Sequence, residues 1–162
     1  MPAELPATSA LAEEQENYSY RDSNCRPLLR HDVNSNELIA AFLAAAPRWF
    51  DVLMLARDKI VGLFGLKTAA KGQGVPQAPF RVGQQLGIFR ILHLTPGEAI
   101  LGEDDRHLDF RISLLLDGER LRVSTLVRPH NVFGRLYLVI VLPFHHLIST
   151  VMIARMAKQL DR

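Results

Sequence analysis

From residue 107 onward the chain alternates. Leu108, Phe110, Ile112, Leu114 and Leu116 are apolar, and the positions between them begin with His107, Asp109, Arg111 and Ser113. Glu119 to Arg128 repeats the pattern, with Leu121, Val123 and Val127 apolar and Thr125 the polar exception. A period of two marks a strand with one buried face. Two such runs on either side of Asp117-Gly118 predict a hairpin with a two-residue type I′ turn. Counting outward from that turn sets Leu116 against Glu119, Leu114 against Leu121, Ile112 against Val123, Phe110 against Thr125 and Leu108 against Val127. This is the core face. The face with His107, Asp109, Arg111, Ser113, Arg122, Ser124, Leu126 and Arg128 is expected to be solvated.

The pattern then turns helical. Asn131 is a good N-cap for a helix running to Leu160, with Phe144, Leu147, Ile148, Val151 and Met152 as an apolar face. Pro143 inside it predicts a kink, or a break near Leu142. Upstream, Leu86 to Leu94 and Glu98 to Glu103 read as strands joined at Pro96-Gly97. Asn17 to Asp22 is a short strand with Tyr18 and Tyr20 on one side. Ser35 is the expected N-cap of a helix from Asn36 to Ala45, with Glu37 in its first turn. A second helix from Pro47 to Phe64 places Trp49, Val52, Leu53, Ala56, Ile60, Leu63 and Phe64 toward a core, and Gly65 ends it. Residues 68–79, rich in Gly, Pro and Gln, are a connector. They are no phosphate loop, because no strand leads in and no helix follows. Residues 1–13 are a loose tail, leaving 14–162 as a single domain. The expected class is α+β, a curved antiparallel sheet wrapped around a long, Pro-kinked C-terminal helix.

Composition narrows this little. With 48% hydrophobic and 22% charged residues the chain is of globular type, and 162 residues suffice for one sizeable core. The net charge of +2 gives no reason to expect a nucleic-acid partner. Cys25 is the lone cysteine, which excludes an intrachain disulfide and fits a reducing, cytoplasmic setting. The N-terminus has no basic region followed by an apolar run, as a secretory signal would. Leu136 to Ala154 approaches the ~20 apolar residues of a membrane span, but Pro143, His145 and His146 lie in its middle. Adjacent imidazoles about 100° apart cannot both face a bundle interior, so no stable span is expected.

Candidate chemistry is sparse. Glu103, Asp104, Asp105 and Asp109 lack the spacing of a calcium loop and read as a solvated turn. His107, Asp109 and Arg128 share a face near His130, where a cross-strand charge ladder with Arg111 and Arg122 is the simpler account. His145 and His146 show no zinc spacing, and Ser113, Ser124 and Cys25 no nucleophile motif. No metal, cofactor or catalytic residue is expected.

The order of elements resembles the helix-grip fold of the START-like superfamily, which includes the birch-pollen allergen, lipid-transfer domains and polyketide cyclases. The stretches PRWFDVLMLARDKIVGLFGLK (Pro47 to Lys67), GEDDRHLDFRISL (Gly102 to Leu114) and TLVRPHNVFGRLYLVIVLPFH (Thr125 to His145) resemble an uncharacterised bacterial family. It occurs alone and behind short-chain-dehydrogenase-like domains that bind NAD(P). The nucleotide-binding part has no counterpart in these residues, so the resemblance implies no NAD(P) site and no activity. What it implies is an apolar cavity between sheet and last helix for a lipid-, sterol- or polyketide-like molecule. Trp49, Phe110, Ile112, Phe144, Ile148 and Val151 would line it, and Thr125, Arg128 and His130 would hold a polar end. A cyclase or dehydratase using the same cavity, and an interaction domain with a filled core, are the alternatives.

Overall fold

The computed structural model describes residues 3–63 and 76–162. Its elements are β1 (Tyr20–Pro27), α1 (Ser35–Ala45), α2 (Arg48–Gly62), β2 (Gln85–Leu86), β3 (Phe89–Thr95), β4 (Glu98–Asp104), β5 (Leu108–Asp117), β6 (Arg120–Pro129) and α3 (Val132–Leu160). Six antiparallel strands form one open sheet in the order β1-β6-β5-β4-β3-β2. The chain is thus α+β. The expected helix end at Phe64 and Gly65, and the connector up to residue 75, lie outside the described residues.

The alternating hairpin forms, but its turn sits one residue later than expected. Asp117 pairs with Arg120 and Leu116 with Leu121, so the loop is Gly118-Glu119. A type I′ turn on Asp117-Gly118 would need positive φ at Asp117 as well as at Gly118. With Gly118 first, only the glycine takes a positive φ, here 64°, as in a type II′ turn. Each register pair shifts, with Leu114 now opposite Val123 and Ile112 opposite Thr125, but the two faces keep their members. Gly87, at φ 65°, divides the expected strand Leu86 to Leu94 in the same way. It opens a two-residue loop between Leu86 and Phe89, which pair across β2 and β3.

The inner face of the sheet carries the main core. Ile91, Leu101, Leu114 and Leu121 are fully buried against Leu38 and Ile39 of α1 and Ile153 and Met156 of α3. Each such side chain contributes about 1.5–3 kcal/mol on removal from water. Helix α1 is capped by Asn34, one residue before the expected Ser35. Asn34 Oδ1 accepts from Glu37 N at 3.1 Å, and Glu37 Oε2 accepts from Asn34 N at 3.0 Å. The reciprocal pair satisfies two end donors at once.

Helix α3 is one element through Pro143, so the expected break near Leu142 does not occur. The proline removes the hydrogen-bond partner of the Val139 carbonyl. Val139 and Pro143 are both exposed, so water can serve that carbonyl. The inward side of α3 is Gly134, Ser149, Met152, Ile153, Met156 and Leu160, rather than the expected Phe144 and Leu147, which are 49% and 56% exposed.

The outer face is covered, not solvated. Residues 3–18, expected to begin as a loose tail, bring Leu5, Leu11 and Tyr18 over Ile100 and Leu126 in a second apolar cluster. Tyr18 therefore leaves the side on which Tyr20 stands: strand β1 begins only at Tyr20, after a 3-10 turn at Gln15–Asn17. A buried carboxylate ties the segment down. Glu98 Oε1 accepts from Ser9 Oγ and Ser113 Oγ, both at 2.6 Å, and its Oε2 accepts from Ala10 N at 2.8 Å. Three donors meeting one buried side chain satisfy its oxygens away from water.

Replacing Glu98 strands three donors in that layer. Glu98→Ala should lower unfolding free energy by about 3 kcal/mol, read as a reduced urea midpoint with unchanged slope. It should also release residues 3–14 to rapid amide exchange.

Candidate functional site

Along β1 the side chains of Tyr20, Asp22 and Asn24 share one face by the two-residue period. They stand opposite Val127, Thr125 and Val123 of β6, where α3 crosses the sheet edge. One turn apart on α3, His145 and Ser149 point back at them.

The cluster centres on Asp22. Its Oδ2 lies 2.8 Å from His145 Nε2 and accepts from the Tyr20 hydroxyl at 2.9 Å, with His146 Nδ1 at 3.9 Å. Asn24 Nδ2 donates to Ser149 Oγ at 3.3 Å, and Ser149 donates to the His146 carbonyl. The Tyr20 ring meets both imidazoles edge-on, at 6.1 and 6.3 Å. Asp22 Oδ1 is buried with no hydrogen-bond partner. An open groove of about 600 Å³ runs along this edge, lined by Tyr20, Asp22, Asn24 and His146, with Ala3 and Arg21 among its other walls.

Burial alone would raise the Asp22 carboxyl. The hydrogen bond and charge of His145, the Tyr20 hydroxyl and the His146 charge outweigh it and hold Asp22 below the usual carboxylate range. Burial first, then the charge and hydrogen bond of Asp22, push the Tyr20 phenol far above its ordinary value, so it stays a neutral donor. An ionised carboxylate bound to an imidazole orients the ring and fixes which nitrogen carries the proton. The arrangement can hold a hydrogen-bond donor or relay a proton at His145.

The residues expected to line a pocket do not converge. Thr125, 7% exposed, stands beside Asp22 across the β1–β6 ladder. Ile148 packs on the main core and Val151 is half-buried. Phe110 and Ile112 are half-buried, and Phe110 meets the edge of Phe89, which meets Phe42 of α1. Trp49 and Phe144 turn toward the surface, at 40% and 49% exposure. Arg128 and His130 are drawn away to Asp109 on the outer face, at 2.7 and 2.9 Å.

That second group is a brace. Burial would raise Asp109, but hydrogen bonds from Arg128 and His130 bring it below the ordinary carboxylate range. Arg128 also lies over the Tyr18 ring, 5.6 Å from its centre. Asn131 caps α3 through Gly134 N at 3.0 Å while its amide donates to His107 Nδ1 at 2.8 Å. Of the acidic stretch, Asp104 pairs with Arg111 at 2.7 Å and Glu103 lies 3.7 Å from Arg90. Among the described residues no three His, Cys, Asp or Glu side chains converge as a metal site.

Sequence reasoning passed over Asp22 because its partner lies 123 residues away. The usable signal was an aspartate on the same strand face as Tyr20, and a histidine pair at the polar point of an otherwise apolar helix.

The lowered Asp22 carboxyl makes a pH prediction. Its contribution should be full above the unfolded pKa of ~3.9 and be lost as pH falls through the lower folded value. Asp22→Asn should therefore cost about 1–3 kcal/mol near neutrality. The gap from the parent should close in acid, measured by urea titrations at a series of pH values.

Comparison with known proteins adds one match. No curated protein and no solved structure matches the chain. The model of one family, described as a protein of unknown function (DUF2867), matches residues 15–152, from the turn before β1 to the buried part of α3. The chain belongs to the DUF2867 family.

Proposed function

We propose that this domain binds a small amphiphilic molecule in a START-like, helix-grip setting. The polar end is held at the β1 edge and the apolar body lies along α3. The observation that carries the reading is Asp22: a carboxylate held below its usual range by His145, Tyr20 and His146, at the wall of an open groove. Such a cluster offers charged and polar groups at the groove wall for a ligand hydroxyl or amine. Val139, Leu142 and Pro143 precede His146 by one to two turns on its flank of the helix, so the polar head site adjoins apolar surface. An open six-stranded antiparallel sheet, two helices between its first two strands and a long last helix support the START-like reading. A lone cysteine fits a cytoplasmic setting.

A second reading, acid–base catalysis of the cyclase or dehydratase type, is favoured by the 2.8 Å Asp22–His145 pair on the inner side of the sheet. There His145 would move the proton and Asp22 would orient it.

Native mass spectrometry of gently purified protein, with solvent extraction, tests binding. A small molecule should accompany the parent chain and be lost from Asp22→Ala. A panel of sterols, fatty acids and polyketides should raise the melting temperature of the parent alone. If nothing co-purifies and no compound shifts it, the binding reading is wrong.

A further inference from the structure

Helix α3 is two-sided in an unusual way. Its inward side is anchored on the sheet, yet its outward side over the first four turns is also apolar. Val132, Phe133, Leu136, Val139, Ile140 and Phe144 are 49–74% exposed, at the three- and four-residue spacing of one stripe. The helix reaches a mean hydropathy of 2.0 over a span-length window of which 17% is buried. A helix serving only the core of a water-soluble domain would be mostly covered. Helix α2 repeats the feature, turning Trp49, Val52 and Leu55 outward at 40–66% exposure. The two helices touch where Arg57 Nε donates to the Tyr137 hydroxyl at 3.2 Å.

The charges around these faces select the partner. Helix α3 carries no Asp or Glu between Val132 and Leu160. Arg135 flanks its apolar stripe, and beyond Leu147 the same outward side continues into Lys158, exposed like Arg135. On α2 the exposed Arg48 and Lys59 stand at either end of the apolar residues; of the acids on that side, Asp51 is exposed and Asp58 is paired with Arg57 at 2.9 Å. A second copy meeting this surface two-fold would set much of a positive rim against itself. An anionic bilayer complements it, and an exposed Trp beside Arg and Lys suits the headgroup boundary.

Crossing the bilayer is excluded by the other side of the helix. Met152, Ile153 and Met156 are in the main core, and Gly134 is pressed against the His107 carbonyl and Pro129. We propose that α2 and α3 dock this domain onto an anionic lipid surface, lying along the headgroup region with the apolar stripe immersed. The Asp22 groove would then open beside the membrane. Docking does not depend on that groove being occupied, so the two readings fail separately.

Flotation of the full chain with phosphatidylcholine–phosphatidylglycerol vesicles tests this, beside pure phosphatidylcholine vesicles and light scattering for mass. The protein should be a monomer in solution, float with the mixed vesicles, and bind pure phosphatidylcholine more weakly. Leu136→Glu with Ile140→Glu, both at exposed positions, should keep the circular dichroism of the parent and lower vesicle partitioning at least about tenfold. Arg135→Glu with Lys59→Glu should remove the preference for the anionic vesicles. No flotation at low ionic strength overturns the proposal. So does a solution dimer that the Leu136/Ile140 variant dissociates, since the stripe would then be its own partner.

Discussion

One junction fixes where everything else on the inner face can be. Helix α3 leaves β6 at Asn131, and Gly134 is wedged against the His107 carbonyl with no room for a Cβ. Asn131 caps the helix and reaches His107 at the same time, so the start of α3 is tied to the start of β5 in position and direction. From that anchor a rise of 1.5 Å per residue carries His145 about 16 Å along the axis. That is enough to pass obliquely over β6 and reach the edge strand, where Asp22 waits. The ion pair of Asp109 with Arg128 and its contact with His130 stiffen the same corner from the outer side. Residues that the sequence placed in a cross-strand charge ladder thus act at a distance, by aiming the helix that completes the Asp22 cluster.

A sheet of this width has two faces to cover, and the chain covers them by different means. The inner face takes two helices and a large aliphatic core. The outer face takes a short segment with almost no regular structure, held by Leu5, Leu11 and Tyr18 and by the hydrogen bonds of Glu98. Burying a carboxylate there costs less than it would in a dry core, because three donors meet it. Ser9 and Ser113 are small enough to bring their hydroxyls to one oxygen without opening a void. The segment so held also places Ala3 in the wall of the β1-edge groove.

The parts of this fold legible in the sequence are those set by local periodicity. The alternation of Leu108 to Leu116 and Leu121 to Val127 sorted the residues into two faces correctly, and that sorting survived a shift in the turn because the register moved by two residues. The turn itself was misread since Asp117-Gly118 and Gly118-Glu119 differ only in which residue must take a positive φ. The outer face was misread for another reason. Polar residues at alternate positions say that a face is wet or internally satisfied, and Ser113, Glu98 and Asp109 are satisfied. Neither their partners nor the cover can be seen within a ten-residue window. The Asp22–His145 cluster fails on the same ground, as its members meet only after the sheet has closed and α3 has been aimed.

Helix α3 shows why composition alone mistakes its role. By length and hydropathy it passes for a membrane span, and a span must be apolar all round. Here the inward stripe is broken at mid-helix by His145 and Ser149, which are partnered by Asp22 and Asn24 of β1. Removing those two side chains from the sheet to immerse the helix would strand a buried carboxylate as well as an imidazole, a cost of several kcal/mol. The polar cluster therefore does two things at once. It puts a polar wall on the β1-edge groove, and it locks one side of an apolar helix to the sheet, so that its remaining apolar side turns outward.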